Sequence, residues 1–399
     1  MIAKKLFAIL IFLFPHFASA SELCILDRYF EKTTEYADFL ASMKENQLDY
    51  KENKLSLLPS ISLSTGQYVS NDVKPESFEY SNVGLTISQE IYGGGKYAIN
   101  NRRLELNEED IKLSVQESRN EYYMSLASDI SQLNYLSDQL KLNEQRLKNQ
   151  SAYISGLTTK LKLGEVALIE LDTAKSNYSQ YKKDKQYIQK NIDHLKWSIS
   201  RGFKIPLDKI SVTSLEQIGV CKNLSANDII RKKAELQFHA EKTSYDIDQS
   251  SLSPSVTASL TFSPKGDSAV HDISLQRGEY GAYLGISMPI SDLFKRGILQ
   301  ERFKVRVEKL KASSDENIYQ LEKKKRDLET SISVAMDELA FMRDEVRLKK
   351  KQLEYINLAK DKNVIYYYDE LLQYQQLEVE IKKKERELEY YNIQLYFIE

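Results

Sequence analysis

The sequence predicts a mixed α+β membrane protein, internally duplicated, in which a few β-strands sit on very long helices. Three observations carry this. The stretch Val83 to Leu104 alternates at first, with Val83, Leu85, Ile87, Gln89 and Ile91 on one side and Gly84, Thr86, Ser88 and Glu90 on the other. It then turns through Gly93, Gly94 and Gly95 into a run of helical character. That is a one-sided strand followed by a change of backbone direction. The same plan returns, with changes, from Ala282 to Phe303. Finally, Leu126, Leu133, Leu140, Leu147, Ile154 and Leu161 step by seven, a sustained coiled-coil track.

The chain starts Met1-Ile2-Ala3-Lys4-Lys5, continues almost wholly apolar from Leu6 to Phe14, and reaches Ala18-Ser19-Ala20. A positive start, a short apolar core and small residues at the cleavage site predict a signal peptide over 1–20, with the mature chain starting near Ser21. No later stretch is apolar enough for a spanning helix, so membrane insertion falls to strands. The net charge of -2, with 29% charged residues, offers no nucleic-acid footprint.

The first repeat covers 21–220. It opens with a helix from about Leu23 to Leu57, ended by Leu58-Pro59-Ser60. A strand pair follows over about 58–92, in which Ile61, Leu63 and Thr65 share one face. The polar loop between the strands holds Asp72, Lys74 and Glu76. A helical hairpin fills about 96–201: one helix from Lys96 to about Lys160, a break at Leu163-Gly164-Glu165, and a second from about Ala167 to Arg201 with the only Trp, Trp197. An irregular connector then runs to Cys221.

The second repeat covers 221–399. A helix from about Ala226 to Gln249 leads to Leu252-Ser253-Pro254-Ser255 and a strand pair over about 254–291. Val256, Ala258, Leu260 and Phe262 share one face of its first strand, and Ala282, Leu284, Ile286, Met288 and Ile290 one face of its second. The loop between them holds Lys265, Asp267, His271 and Asp272. The hairpin over about 293–397 has helices from about Leu293 to Lys360 and from about Asp369 to Tyr396, with a break at Asn363. A helix of about 65 residues spans about 100 Å, so each half is a rod and not a globule.

Four strands, each apolar on one face, suit the wall of a transmembrane barrel, but four cannot close one and open edges are not tolerated in lipid. The chain is therefore expected to pool strands with other copies; three copies would give twelve. The competing fold, a soluble β-sandwich cap with its apolar face inward, lacks any other element to cover that face.

In these features the chain resembles the TolC-like outer-membrane efflux proteins over essentially its mature length. The resemblance rests on the duplication, on Leu58-Pro59-Ser60 and Leu252-Ser253-Pro254-Ser255, and on the corner Ile87 to Gly95. It rests also on the turn Leu163 to Ala174 and on the second corner Ile286-Ser287-Met288-Pro289-Ile290. It implies a homotrimer whose twelve-stranded outer-membrane barrel continues into a periplasmic helical barrel. The implied role is the passive exit duct of a tripartite export machine, with a periplasmic adaptor and an energy-supplying inner-membrane transporter as partners. A drug pump, a type I secretion system and a related ABC-type exporter are all compatible with it.

The resemblance places Asp369 at the periplasmic entrance, where three-fold symmetry would make a carboxylate ring favouring cations. The family's second aspartate is replaced by Leu372. A solvated acid at a helix N-terminus is the competing reading of Asp369. Glu370 and Glu170 are candidates to share its role. Gly164, Glu165, Val166, Asn363 and Val364 stand where the family's adaptors dock. Ile365 and Lys360 occupy the positions of its Arg/Tyr latch, so that latch is absent in its usual form. Tyr366, Tyr367 and Tyr368 are open to two readings, a different constriction or interhelical packing.

Cys24 lies about 35 residues before Pro59, and Cys221 about 33 before Pro254. Pseudo-symmetry would bring them to similar height, so a Cys24–Cys221 disulfide is expected, two unrelated thiols being the alternative. Glu22-Leu23 is a poor lipobox, which argues against lipidation at Cys24. No catalytic constellation, cofactor site or metal spacing is apparent: His16, His194, His239 and His271 stand isolated. Gly93-Gly94-Gly95-Lys96 lacks the P-loop spacing and reads as a corner hinge. The other function class is a periplasmic coiled-coil adaptor, which would carry one hairpin where this chain carries two.

Overall fold

The computed structural model describes residues 24–67, 81–264, 278–358 and 364–399. In chain order these form α1 (Asp27–Phe30), α2 (Thr34–Leu55), β1 (Ser60–Gln67), β2 (Ser81–Gly93), α3 (Lys96–Lys162) and α4 (Leu168–Gly202). Then come α5 (Leu207–Ile210), α6 (Leu215–Gly219), α7 (Ala226–Ser250), β3 (Ser255–Pro264), β4 (Gly278–Ser287), a 3-10 turn (Ile290–Lys295), α8 (Arg296–Asn357) and α9 (Val364–Ile398). The signal segment and both strand-connecting loops, with Asp72, Lys74, Glu76, Lys265, Asp267, His271 and Asp272, lie outside the described residues.

The four strands form one antiparallel sheet in the order β1-β2-β3-β4. Its register aligns the apolar positions from strand to strand. Leu63 pairs with Leu85 and Ile61 with Ile87. Leu85 in turn meets Phe262, and Ile87 meets Leu260. Ala258 meets Leu284, and Val256 meets Ile286. Because side chains alternate with period two, this register puts the apolar rows on one face, up to a shift between Glu90 and Tyr92 that sets Tyr92, and not the expected Ile91, opposite Val256. The other face holds small polar groups, such as Ser60 and Ser88, whose hydroxyls lie 2.7 Å apart. The apolar face is bare: Leu63 is 74%, Leu284 70% and Ile286 75% exposed. β1 and β4 are edges, each paired on one side only.

Below the sheet, α3 runs for 67 residues, about 100 Å, and packs on α2, α4, α7 and α9. Its heptad leucines build the main core: Tyr123, Leu126, Ile130, Leu133 and Leu136 join Ile188 and Ile192 of α4, Ile210, Ile218 and Phe397. Each side chain so buried contributes about 1.5–3 kcal/mol. A buried amide fixes the depth of α2 against α3, Asn46 donating to the Leu104 carbonyl at 3.1 Å and accepting from the exposed Asn107 amide at 2.9 Å.

Four regions differ from the sequence expectation. The helix expected from Leu23 to Leu57 is interrupted at Glu31-Lys32-Thr33, because Thr33 accepts from the Tyr36 amide and caps a new helix. The fourth strand stops at Ser287, so Met288 and Ile290 are not on its face. Pro289 has no N–H for the ladder, and a 3-10 turn begins beyond it. The last helix starts at Val364, five residues before the expected Asp369. The connector before Cys221, expected to be irregular, holds α5 and α6.

Candidate functional site at the hairpin tips and the strand-to-helix corner

At the corner, β2 ends on Gly93, and Gly94 and Gly95 take φ of 66° and 82°, the left-handed region that side chains resist. Gly94 has a second constraint: a Cβ there would lie 2.4 Å from the Ser250 carbonyl oxygen. This is where the end of α7 passes the start of α3. Gly93 has ordinary φ and faces only the flexible Glu90 side chain. The hinge is therefore Gly94-Gly95.

At the first tip, α3 ends in a Schellman turn. The Glu165 amide donates to the Lys160 carbonyl at 2.9 Å and the Gly164 amide to the Leu161 carbonyl at 3.0 Å, with Gly164 at φ 71°. Lys160 also reaches the Glu165 carboxylate at 3.5 Å. Val166 folds inward onto a small core of Leu157, Leu171 and Ala174, and Ile365 of α9 packs on the same core. Val166 is thus partly spent on internal packing, whereas Gly164 and Glu165 are exposed. Leu163, Leu168 and Ile169 beside them are exposed apolar residues. Asn363 and Lys360 lie outside the described residues; Val364 opens α9.

The two tips meet through aromatic rings. Tyr153 of α3 stacks on Tyr368 of α9 with centroids 4.4 Å apart, and Tyr367 meets Tyr368 edge-on at 5.2 Å. Tyr368 therefore takes part in interhelical packing, with Tyr367 against it on the same helix, while Tyr366 is 49% exposed. The Tyr153 phenol is pushed up to about 12, first by burial and then by the carboxylates of Asp369 and Glu170 and by Tyr368. Asp369 and Glu170, far apart in sequence, thus converge electrostatically on one ring.

The acids differ in surroundings. Asp369 is exposed, and because α9 starts at Val364 it lies beyond the first turn, out of reach of the helix-terminus stabilisation considered for it. Glu170 does sit in the first turn of α4, and its Oε2 is buried with no hydrogen-bond partner. Glu370 accepts from Lys349 of α8 at 2.7 Å, and the same ammonium reaches Gln373 at 2.8 Å. Glu370 therefore closes the α8–α9 hairpin.

Near the middle of the rod, Cys24 and Cys221 form a disulfide with Cα atoms 5.0 Å apart. Asp27, three residues on, accepts twice from Arg119 at 2.8 Å and once from the Tyr123 hydroxyl. Burial pushes the Tyr122 and Tyr123 phenols up. Sequence reasoning missed Asp27, Arg119 and Tyr153. The one available signal was that Tyr123 and Tyr153 border the heptad track. Among the described residues, no group of three or more His, Cys, Asp or Glu side chains could hold a metal ion, and no helix is long and apolar enough to cross a membrane.

No protein-family model matches the chain, and no curated protein matches it. Solved structures do. The outer membrane protein VceC of Vibrio cholerae aligns with a TM-score of 0.71 at 13% identity, covering 94% of each chain. The CmeC outer membrane channel of Campylobacter jejuni gives 0.71 at 11% identity, covering 94% of this chain and 84% of its own. The open state of the MtrE outer membrane channel of Neisseria gonorrhoeae gives 0.64 at 13%, covering 94% and 88%. An end-to-end match at this identity is a statement about architecture, and the architecture of this chain is that of the TolC-like outer-membrane efflux channels.

Proposed function

We propose that this chain is the outer-membrane, periplasm-spanning exit duct of a tripartite export system, assembled as a homotrimer. In this reading substrate passes without catalysis, from an inner-membrane transporter and a periplasmic adaptor to the outside. The observation that carries it is the sheet. One face is apolar through all four strands and most exposed on β1 and β4, both edges are open, and helices about 100 Å long hang from it. Such a sheet suits lipid on one face only if β1 of one copy pairs with β4 of the next.

The helices support the same assembly. α8 leaves Val334, Phe341, Leu348 and Tyr355, seven residues apart, exposed along one line. α2, on the opposite edge of the chain, leaves Leu40, Leu48 and Leu55 exposed. A second copy of the chain would cover these rows as it closes the barrel. The adaptor is assigned to the tips at Gly164 and Glu165, next to exposed Leu163, Leu168 and Ile169. The entrance is assigned to Asp369, with Glu170 behind it.

The direct test is an unheated gel of outer-membrane fractions, followed by planar-bilayer recording of the purified oligomer. A heat-labile oligomer that conducts ions is expected. A soluble monomer, or a protein extracted with the inner membrane, would overturn the duct and favour the adaptor reading.

A further inference from the structure

The apolar seam of α3 is not continuous. Its upper core ends with Leu136, with Leu140 on the margin. The lower core is built on Leu157, Leu171 and Ala174, with Tyr153 and Ile154 on the margin. Leu140 and Tyr153 are about 20 Å apart along the helix. Within that gap Leu147, a heptad residue, is only half-buried, and the most buried side chain is Asn143, 5% exposed.

Asn143 has no hydrogen-bond partner for its Oδ1, and Arg146, nearly one turn on, has none for its Nε; both atoms are buried. The two residues line a crevice of about 210 Å³ where α3, α4 and α9 meet, with Gln139, Asp184, Asn191 and Val379 around it. Burial pushes the Arg146 guanidinium down, against the opposing pull of Tyr181 and Asp184. A buried carbonyl oxygen and a buried cationic N–H left without partners are costly, and native proteins meet such groups with ordered water. Water suits this pair because it accepts from Nε and donates to Oδ1. At about 30 Å³ per molecule, the crevice has room for several.

We propose that Asn143 and Arg146 form a hydrated joint: a water-binding crevice that divides the helical rod into an upper body and a separately moving tip. Close-packed cores transmit displacement because their side chains interlock. A seam of water-bridged polar groups lacks that interlock. Lys185 and Glu144 bridge α4 and α3 across the gap at 2.8 Å, a partly exposed contact that tethers the helices without filling the seam. The tip below the joint carries Tyr153, Glu170 and Asp369. The inference uses the packing of one chain and stands apart from the duct reading. A buried asparagine that serves only to set helix register is the competing role, and it predicts no local loosening.

The test is hydrogen exchange followed by mass spectrometry on the full-length protein in detergent. Amides of 141–152 are expected to exchange at least about tenfold faster than those of 126–140 and 153–162. Equal protection across the three segments would overturn the joint. In the second arm, Asn143→Leu with Arg146→Met replaces the wetted groups with apolar ones. Exchange over 141–152 should slow to the level of its flanks, and the apparent melting temperature should rise. Unchanged exchange in a folded double variant would also overturn the joint. If the double variant does not fold, Asn143→Leu alone and the wild-type profile decide the question by the same criteria.

Discussion

Tyr153 and Tyr368 stand 4.4 Å apart, centroid to centroid, and join α3 and α9, two helices far apart in sequence. The Tyr153 ring packs against the small tip core and its phenol feels the carboxylates of Asp369 and Glu170, so packing and electrostatics meet at one ring. Its chemistry makes it testable.

Truncating either ring should loosen the tip. Tyr153→Ala or Tyr368→Ala is expected to cost about 1–3 kcal/mol, from lost apolar burial and the aromatic pair together. Tyr153→Phe should keep most of that. Apparent melting temperatures of the three variants, measured in one detergent at one protein concentration, check the order.

The Tyr153 phenol gives a pH dependence with a definite sign. Its value is raised to about 12 in the folded state, against about 10 in an unfolded chain. The folded state thus holds the proton more tightly, and the stabilisation is complete below about pH 10 and lost as pH rises toward 12. An ultraviolet titration should show a phenol ionising near 12 that disappears in Tyr153→Phe. Loss of a phenol titrating near 10 instead would contradict this placement.

The disulfide closes a separation of 197 residues. Removing a bond of this kind costs about 2–5 kcal/mol. Cys24→Ser with Cys221→Ser, or reduction of the wild type, should lower the melting temperature by equal amounts. Non-reducing gels should show faster migration of the oxidised denatured chain. A reductant-independent melting curve would count against a structural role.

Gly94 and Gly95 should separate on substitution. Gly95→Ala meets only the left-handed backbone cost of about 1–2 kcal/mol, since nothing lies within 4 Å of its Cβ position. Gly94→Ala adds a collision with the Ser250 carbonyl and should cost more. The yield of heat-modifiable oligomer in outer-membrane fractions reads the difference.

Asp369→Asn tests the entrance. If three copies bring three exposed Asp369 carboxylates together, the variant channel should lose part of its cation preference in bilayer recordings. Glu370→Gln should leave selectivity unchanged, because Lys349 already neutralises Glu370 at 2.7 Å; its effect should fall on stability. Equal loss from both variants would place the constriction elsewhere.

The sequence by itself determined the elements and their order. Alternation of period two marks Ile61-Leu63, Val83-Ile87 and Leu260-Phe262 as one-sided strands, and a seven-residue step marks α3, because these periods are properties of the local backbone. The differences are local as well: the Thr33 cap divides the first expected helix, and Pro289 ends the ladder that the alternation carries on to Ile290. The tertiary structure alone decided which side chains meet. That Glu370 is bonded to Lys349 and Asp369 is not, that Tyr153 finds Tyr368, and that Asn143 and Arg146 are left facing a crevice all depend on the rotation and depth of one long helix against another. Sequence period fixes the face a residue occupies on its own helix. The partner across the seam is set by the packing of helices distant in sequence, which no local pattern encodes.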